Sequence, residues 1–151
     1  MAEELSPRDQ AAWRAFLRAH AALVGTLERE LATKGLPIAF YDVLAELANA
    51  GGRMRMRELA DAVLLSRSGL TRLIDRMERA GYVTRERCPD DRRGAFAITT
   101  PAGRRALRQA GPVHARGVAE HFARHLSREE TDVLTGALER VAGSQPRRRP
   151  D

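Results

Sequence analysis

The segment from residue 56 to residue 100 constrains the fold of this chain more than any other part. Its first part predicts two short helices joined by a turn, because apolar residues recur at spacings of three and four on both sides of Ser66. Its last part predicts a hairpin with strands over 82–87 and 95–99 and a connecting loop over 88–94. The predicted order is therefore helix, turn, helix and β-hairpin.

The second helix of this pair combines an apolar face with an arginine-rich face. Ser66 suits the N-cap position, and Gly81 is expected to end the helix. The apolar face is expected to pack into the core through Leu70, Leu73, Ile74 and Met77. The opposite, exposed face carries Arg72, Arg76 and Arg79 at positions i, i+4 and i+7. Such a helix can be held from one side while it presents cations on the other.

Two further helices are expected before this segment. A long amphipathic helix is predicted from Pro7 to Lys34, followed by a second helix that starts after Pro37 and stops at Gly51-Gly52. The alternation of arginine and methionine over 53–57 predicts a short strand. A short helix over 57–64 is then expected to lead into the turn before Ser66.

Two helices are expected after the hairpin. Thr100-Pro101 is typical of a helix start, and the helix is expected to kink at Gly111-Pro112 and to carry Leu107, Val118, Phe122 and Leu126 as its apolar marks. Ser127 and Glu130 have the spacing of a capping box for the last helix.

The charge of the chain favours a polyanionic partner. The formal net charge is +6, and every basic residue except Lys34 is arginine. Arginine suits bidentate contacts with phosphate and guanine, although codon usage in a GC-rich genome explains the same bias equally well.

The location of the protein follows from three absences in the sequence. Cys88 is the single cysteine, so no intrachain disulfide forms and a reducing compartment is natural. No apolar run approaches the ~20 residues that a membrane helix needs. The acidic first residues also lack the pattern of a signal peptide. We therefore expect a cytoplasmic protein without a membrane partner.

The spacing of several residues together resembles the MarR family of bacterial winged helix-turn-helix regulators. The matching positions are Ser66, Leu70-Thr71-Arg72-Leu73-Ile74-Asp75-Arg76-Met77-Glu78, Gly81-Tyr82-Val83, Arg85, Asp91-Arg92-Arg93-Gly94, Ile98-Thr99-Thr100 and Gly103. The resemblance extends from about residue 8 to residue 143. It implies a mainly α fold with a small β-wing, in which a winged helix-turn-helix domain is joined to a helical dimerisation region.

The resemblance also implies a domain organisation and a function. Residues 1–36 would form an N-terminal dimerisation helix, 37–100 the DNA-binding lobe and 101–143 the C-terminal dimerisation helices. The composition of 144–151 predicts a disordered basic tail. The apolar stripes of the flanking helices support a homodimer, since these helices cannot bury both their faces within one chain. The expected function is that of a repressor that binds a pseudo-palindromic double-stranded DNA operator and is released by a small phenolic or carboxylate-bearing effector.

The expected DNA contacts come from the recognition helix and the wing tip. In the helix they are Ser66, Arg67, Ser68, Thr71, Arg72 and Arg76, with Arg67 and Arg72 suited to guanine and Arg76 to a phosphate. In the wing they are Asp91, Arg92 and Arg93. The resemblance implies that Arg93 enters the minor groove and that Asp91 positions it. The simpler alternative for each arginine is a solvated surface. Arg85 and Arg87 either contact phosphate or pair with nearby acids.

The expected effector cleft is lined by Trp13, Phe16, Leu17, His20, Phe40 and Tyr41. Arg14 or Arg18 could meet a carboxylate. The alternative is that these side chains belong to the core or to the dimer interface.

Other functions receive less support from the sequence. The chain contains no catalytic triad pattern, phosphate-binding loop, dinucleotide fingerprint or metal quartet, so we expect no enzyme, no cofactor and no metal. A metal-responsive regulator stays open through the spacing of His114, His121 and His125, which could share one helical face. A redox-responsive regulator stays open through Cys88 at the base of the wing. A winged-helix protein-interaction module without sequence preference is the third alternative.

Overall fold

The computed structural model describes residues 5–144. The predicted disordered tail over 144–151 lies outside the described residues, apart from Ser144. Within them, no helix is both long and apolar enough to cross a membrane.

Six α-helices and three strands make up the described chain. The helices are α1 (Pro7–Ala32), α2 (Ile38–Asn49), α3 (Met56–Ala62), α4 (Arg67–Arg79), α5 (Pro101–His121) and α6 (Arg128–Gly143). The strands are β1 (Arg53–Arg55), β2 (Val83–Cys88) and β3 (Asp91–Thr99), and a short 3-10 helix covers Ala123–His125. The mainly α fold with a small sheet is therefore confirmed.

The strands form one antiparallel sheet in the order β1-β3-β2. Arg53 pairs with Ile98 at one edge, and Val83 pairs with Thr99 at the other. The central position of β3 ties the hairpin to the short strand that precedes α3. The helix-turn-helix pair and the wing therefore share one framework.

The hydrophobic core lies between α2, α4 and the sheet. Leu44, Leu47, Leu59, Ile74 and Met77 are fully buried there. Each comes from an apolar stripe at helical spacing, so burying these stripes together brings α2, α3 and α4 into contact. The C-terminal half of α1 and the first half of α5 close the core through residues that include Leu31 and Ala110.

Three predicted helix caps are confirmed. The hydroxyl of Ser66 accepts a hydrogen bond from the Gly69 N–H at 3.0 Å, and that of Thr100 accepts one from Gly103 at 3.1 Å. At α6, the Ser127 N–H donates to Glu130 Oε2 at 2.8 Å and the Glu130 N–H donates to the Ser127 hydroxyl at 3.2 Å. These caps satisfy amides that a helix start leaves without partners.

The predicted loop over 88–94 was too long. Only Pro89 and Asp90 separate the two strands of the wing, because β2 continues to Cys88 and β3 already begins at Asp91. A register shift between Arg87 and Cys88 accommodates the extra residues of β3.

The predicted extent of α5 was also wrong at its C-terminal end. The helix continues through Pro112 but ends at His121, so Phe122 and Leu126 lie outside it. Phe122, with φ of −126° and ψ of −65°, departs from helical geometry and precedes the 3-10 helix that leads into α6.

Candidate nucleic-acid interface

Helix α4 is held by its apolar face and turns its arginines outward. Leu70, Leu73, Ile74 and Met77 are buried, as the sequence predicts. Arg72 is exposed on the opposite face, and so is Arg76 one turn further along. The guanidinium carbon of Arg76 lies 5.4 Å from the centre of the Phe40 ring, a cation–π contact that restricts its side chain.

The polar side chains at the start of α4 are exposed but already take part in local hydrogen bonds. The Ser66 hydroxyl caps the helix and lies 3.4 Å from that of Ser68. The Thr71 hydroxyl donates to the backbone oxygen of Arg67 at 2.9 Å, which leaves its oxygen lone pairs for a further donor. The structure therefore assigns Ser66 a clear capping role, while Ser68 and Thr71 face outward from the first turns.

The wing formed by β2 and β3 presents three charged residues beside its tip. Asp91, Arg92 and Arg93 are all exposed. The Arg93 N–H donates to Asp91 Oδ1 at 3.0 Å, so the carboxylate fixes the backbone of the arginine. Gly94 follows at a crowded point, where an added Cβ would lie 2.9 Å from Asp91 Oδ2 and 3.0 Å from Cys88 Sγ. The absence of a side chain there allows the two strands to approach.

Arg85 joins the wing to α4. Its guanidinium hydrogen-bonds to Asp75 and donates to Glu78 Oε2 through Nε at 3.1 Å and through Nη2 at 2.9 Å. The Arg85 backbone N–H adds a bond of 3.0 Å to Glu78 Oε1. Hydrogen bonding to Asp75, opposed by desolvation and reinforced by Glu78, raises the pKa of Arg85 above its ordinary value. Of the two roles open to Arg85, the structure selects pairing with acids, and these acids lie on α4. We call this group the Arg85 clamp.

A cleft of about 440 Å³ lies between the start of α4 and the wing. Its polar lining includes Arg55, Arg57, Arg67, Thr71, Arg85, Asp91 and Arg93. We call it the arginine cleft. It brings Arg67 and Thr71 of the recognition helix together with Asp91 and Arg93 of the wing, whereas Ser66, Ser68, Arg72, Arg76 and Arg92 lie outside its lining.

Sequence reasoning missed two arginines of this cleft, Arg55 and Arg57. The signal was the alternation of arginine over 53–57, which places Arg53 and Arg55 on one side of β1. The guanidinium carbon of Arg53 lies 3.9 Å from the centre of the Phe96 ring, and that of Arg55 lies 5.3 Å from it. Stacking on this ring orders the arginines beside the wing.

The six residues of the expected effector cleft do not come together in the described chain. Trp13, Phe16, Leu17 and His20 lie on the exposed N-terminal half of α1, with Trp13 57% exposed. Phe40 is a core residue, 6% exposed, and its ring packs edge-on against Tyr82 at 6.1 Å. A stripe of the right period groups residues on a helix face but does not determine which neighbouring helix covers that face.

Tyr41 occupies a separate place at the junction of α2 and α5. Its ring stacks on that of His114 with 4.4 Å between the ring centres. Desolvation raises the pKa of the Tyr41 hydroxyl above its ordinary value, and the Asp42 carboxylate raises it further. Tyr41 therefore belongs to a partly buried polar cluster with Asp42 and His114, on helices other than the one that carries Trp13 and Phe16.

The three histidines with metal-like spacing are separated by the structure. His114 stacks on Tyr41, His121 Nε2 lies 2.6 Å from Glu30 Oε1, and His125 belongs to the 3-10 helix after α5. Because α5 ends at His121, His125 lies outside the helix and the three histidines do not share one helical face. Across residues 5–144, no group of three or more potential ligands could hold a metal ion.

Cys88 is the last residue of β2, next to the turn, and not at the base of the wing as predicted. It is 5% exposed. Gly94 packs directly over its sulfur, so the thiol fills space beneath the hairpin.

Comparisons with known proteins agree with this geometry. The sequence model of the MarR family matches residues 34–94, which span α2 through the tip of the wing. AbsC, a MarR family transcriptional regulator from Streptomyces coelicolor, is 38% identical with a TM-score of 0.88, and the match covers 94% of this chain and 97% of AbsC. Sco3205, a MarR family transcriptional regulator of the same organism crystallised in complex with DNA, is 36% identical with a TM-score of 0.90 over 97% of this chain and 93% of Sco3205.

A more distant structure concerns the regulation of DNA binding of Bordetella bronchiseptica BpsR by 6-hydroxynicotinic acid. It is 19% identical with a TM-score of 0.77, and the match covers 87% of this chain and 98% of BpsR. It has the same fold. Because both Streptomyces relatives match almost end to end above 30% identity, the chain belongs to the MarR family of winged helix-turn-helix, DNA-binding transcription regulators and is not an enzyme.

Proposed function

We propose that this regulator binds a specific operator as a homodimer, with the first turns of α4 in the major groove and the wing tip in the adjacent minor groove. The observation that carries the proposal is the arginine cleft. One sugar–phosphate backbone always separates a major groove from the minor groove beside it. If α4 and the wing occupy adjacent grooves, that backbone passes through the space between them. The lining of this space by Arg55, Arg57, Arg67 and Arg93 suits the charge of the backbone.

The interface would make two kinds of contact with DNA, one with phosphates and one with bases. Arg55 and Arg57, at the start of α3, would bind phosphates and fix the register of the protein on DNA without distinguishing bases. Arg72, exposed on α4, would contact guanine, and Arg93 at the wing would enter a narrow minor groove. Ser68 and Thr71 would add contacts from the helix start, while Arg76 and Arg92 would meet phosphates at the edges.

This division can be tested by selecting bound duplexes from a random pool and measuring affinity at several salt concentrations. Arg57→Ala should weaken binding to the selected and to a random duplex by the same factor. It should lower the slope of log K against log salt by about one for each subunit, or about two for the dimer. Arg72→Ala should reduce preference for the selected duplex by roughly 1–3 kcal/mol for each half-site. Lys34→Ala, which removes an equal charge from the exposed turn between α1 and α2, should change neither quantity. An Arg57→Ala protein with unchanged affinity and slope would refute the role of the cleft.

We infer that the homodimer forms through α1, α5 and α6. Support comes from apolar side chains left uncovered in the single chain: Trp13, Phe16 and Leu17 on α1 are 57%, 43% and 44% exposed, and none of the residues of α6, all of which are described, is buried. A second copy would cover these faces and place two α4 helices about one DNA turn apart. Sedimentation should give twice the chain mass. Trp13→Glu should lower the mass to that of one chain and abolish operator binding; a wild-type monomer would refute the dimer.

We also propose that a small aromatic acid or phenol releases the dimer from DNA, so that the protein acts as a repressor in the cytoplasm. Support comes from the exposed row of aromatic rings on α1, where Trp13 and Phe16 stack at 5.9 Å and Phe16 and His20 at 6.2 Å, with Arg14 and Arg18 on the same helix. Such a row would form one wall of a cleft completed near Tyr41 or by the second copy. The regulation of BpsR by 6-hydroxynicotinic acid shows the chemistry that the fold accommodates in another protein. Screening such acids for release of the selected duplex tests the proposal. Release that is lost in Phe16→Ala, with DNA affinity retained, would support it; if no such acid releases the duplex, the proposal is wrong.

A further inference from the structure

Leu64 combines two unfavourable properties at one position. Its φ of +57° makes it the only residue other than glycine with a positive φ in the described part of the chain. Glycine occupies the other four such positions, Gly35, Gly51, Gly52 and Gly81. Leu64 is also 85% exposed, more than any other large apolar residue among residues 5–144.

The strain at Leu64 arises from the end of α3. The helix closes with the Leu64 N–H directed at the Asp61 oxygen at 3.4 Å and the Leu65 N–H donating to the Ala60 oxygen at 2.9 Å. This pattern places the intervening residue in the left-handed conformation, where glycine or asparagine is usual, because a Cβ approaches the following carbonyl oxygen. A leucine here reduces the stability of the turn. Because its side chain is exposed, no hydrophobic burial compensates for this loss.

The position lies beside the DNA-facing end of α4. Leu64 comes two residues before Ser66, whose hydroxyl caps α4, so its Cα lies within about 7 Å of the cap residue. Leu65 is 36% exposed, with its Cβ near Gly69 of α4, whereas Leu64 is 85% exposed. The side chain of Leu64 therefore stands at the rim of the helix end that comes closest to base edges.

We propose that Leu64 makes an apolar contact with DNA at the edge of the major groove. This inference rests on the proposed placement of α4. DNA offers two apolar surfaces there, the 5-methyl group of thymine and the carbons of deoxyribose. Contact with either surface would remove the exposed leucine side chain from water. The free energy of this burial would offset the stability that the free protein loses through the strained turn.

The test compares Leu64→Asn with Leu64→Met on a duplex selected by the wild-type protein. Asparagine tolerates the left-handed conformation, so Leu64→Asn should raise Tm by about 3 °C. It should weaken binding to the selected duplex about tenfold for each subunit that contacts DNA, as expected for the loss of one half-buried leucine per subunit. Methionine keeps both the strain and the apolar contact, so Leu64→Met should retain the Tm and the affinity of the wild type.

Replacing each thymine of the selected duplex by deoxyuridine identifies the surface. A site where the wild type loses affinity and Leu64→Asn does not assigns the contact to a thymine methyl group. If no site behaves in this way while Leu64→Asn still binds more weakly, the contact is to deoxyribose.

Two results would overturn the inference. One is a Leu64→Asn protein that binds the selected duplex as tightly as the wild type. The other is a Leu64→Met protein that loses as much affinity as Leu64→Asn. Failure of the proposed function is a different result, because the wild type would then show no preference for any duplex in the pool.

Discussion

Replacing Arg85 by methionine should disconnect the wing from the recognition helix. Methionine keeps much of the apolar stem of the side chain and removes the guanidinium that bonds to Asp75 and Glu78. The two carboxylates are then left on one face of α4 without the cation between them. The Arg85 backbone N–H keeps its partner, Glu78 Oε1, so the change isolates the contribution of the side chain.

The size of the effect follows from the exposure of the three groups. The side chain of Arg85 is 27% exposed, and those of Asp75 and Glu78 are 41% and 35% exposed. Solvent-exposed ion pairs contribute about 0.2–1 kcal/mol, and hydrogen bonds to charged groups about 1.5–3 kcal/mol. The energy contributed by the two partly exposed pairs, which share one guanidinium, should lie between these limits. We expect Arg85→Met to lower the free energy of unfolding by about 2 kcal/mol, which corresponds to a fall in Tm of about 6 °C.

Thermal and urea unfolding followed by circular dichroism measure this loss, and operator affinity measures its consequence for DNA. With the clamp intact, Arg72 and Arg93 sit on one rigid unit, so their removal should be energetically coupled. A double-mutant cycle of Arg72→Ala and Arg93→Ala should therefore give a coupling energy in the wild-type background and a smaller one in the Arg85→Met background. A merely destabilised fold would lower affinity without reducing this coupling.

Arg87→Met is the matched control for stability. Arg87 lies two residues along the same strand and is exposed, so its replacement should change Tm by less than about 2 °C. The reasoning is refuted if Arg85→Met behaves like this control in unfolding, or if the coupling between Arg72 and Arg93 is the same in both backgrounds.

Two further predictions concern the helix starts. Gly103→Ala should destabilise the fold by about 1–3 kcal/mol, because its Cβ would lie 2.2 Å from the Tyr82 backbone oxygen. Gly25→Ala, where the added Cβ would lie 3.5 Å from the flexible Arg29 side chain, should instead stabilise α1 by up to about 1 kcal/mol. Equal changes in Tm for the two variants would contradict this. Ser127→Ala should cost about 1 kcal/mol near pH 7. Hydrogen bonds from the Ser127 backbone and hydroxyl lower the pKa of Glu130. The part of the stability that comes from the ionised Glu130 carboxylate is therefore present above the ordinary pKa of a glutamate and is lost as pH falls through the lowered value. The free energy of unfolding should thus change less between pH 7 and pH 3 in Ser127→Ala than in the wild type. An equal change in both proteins would count against the capping box.

Local patterns predicted the elements of this fold because the relevant interactions are local. The caps at Ser66, Thr100 and Ser127 join residues three positions apart, and the apolar face of α4 follows from helical period alone. Gly103 was part of the family pattern, and its close approach to Tyr82 gives the physical reason for a glycine there.

Interactions between distant elements were not predictable in the same way. The partners of Arg85 lie seven and ten residues away on a different element, and the sequence offered several other acids of equal standing. The expected effector cleft combined the apolar stripe of α1 with residues of α2. In the structure Phe40 is buried in the core, whereas Trp13 is exposed. The sequence could not show that His125 lies outside the helix of His114 and His121, because the end of α5 falls between His121 and His125.

Hydroxyl-radical protection of the selected duplex tests the central claim most directly, because it maps where the two α4 helices and the two wings touch DNA. We expect two protected segments related by the symmetry of the operator, about 34–36 Å apart, each flanked by a protected minor-groove segment. In Arg93→Ala the flanking protection should disappear while the central protection stays. Uniform protection of any duplex, or an unchanged footprint in Arg93→Ala, would contradict the account.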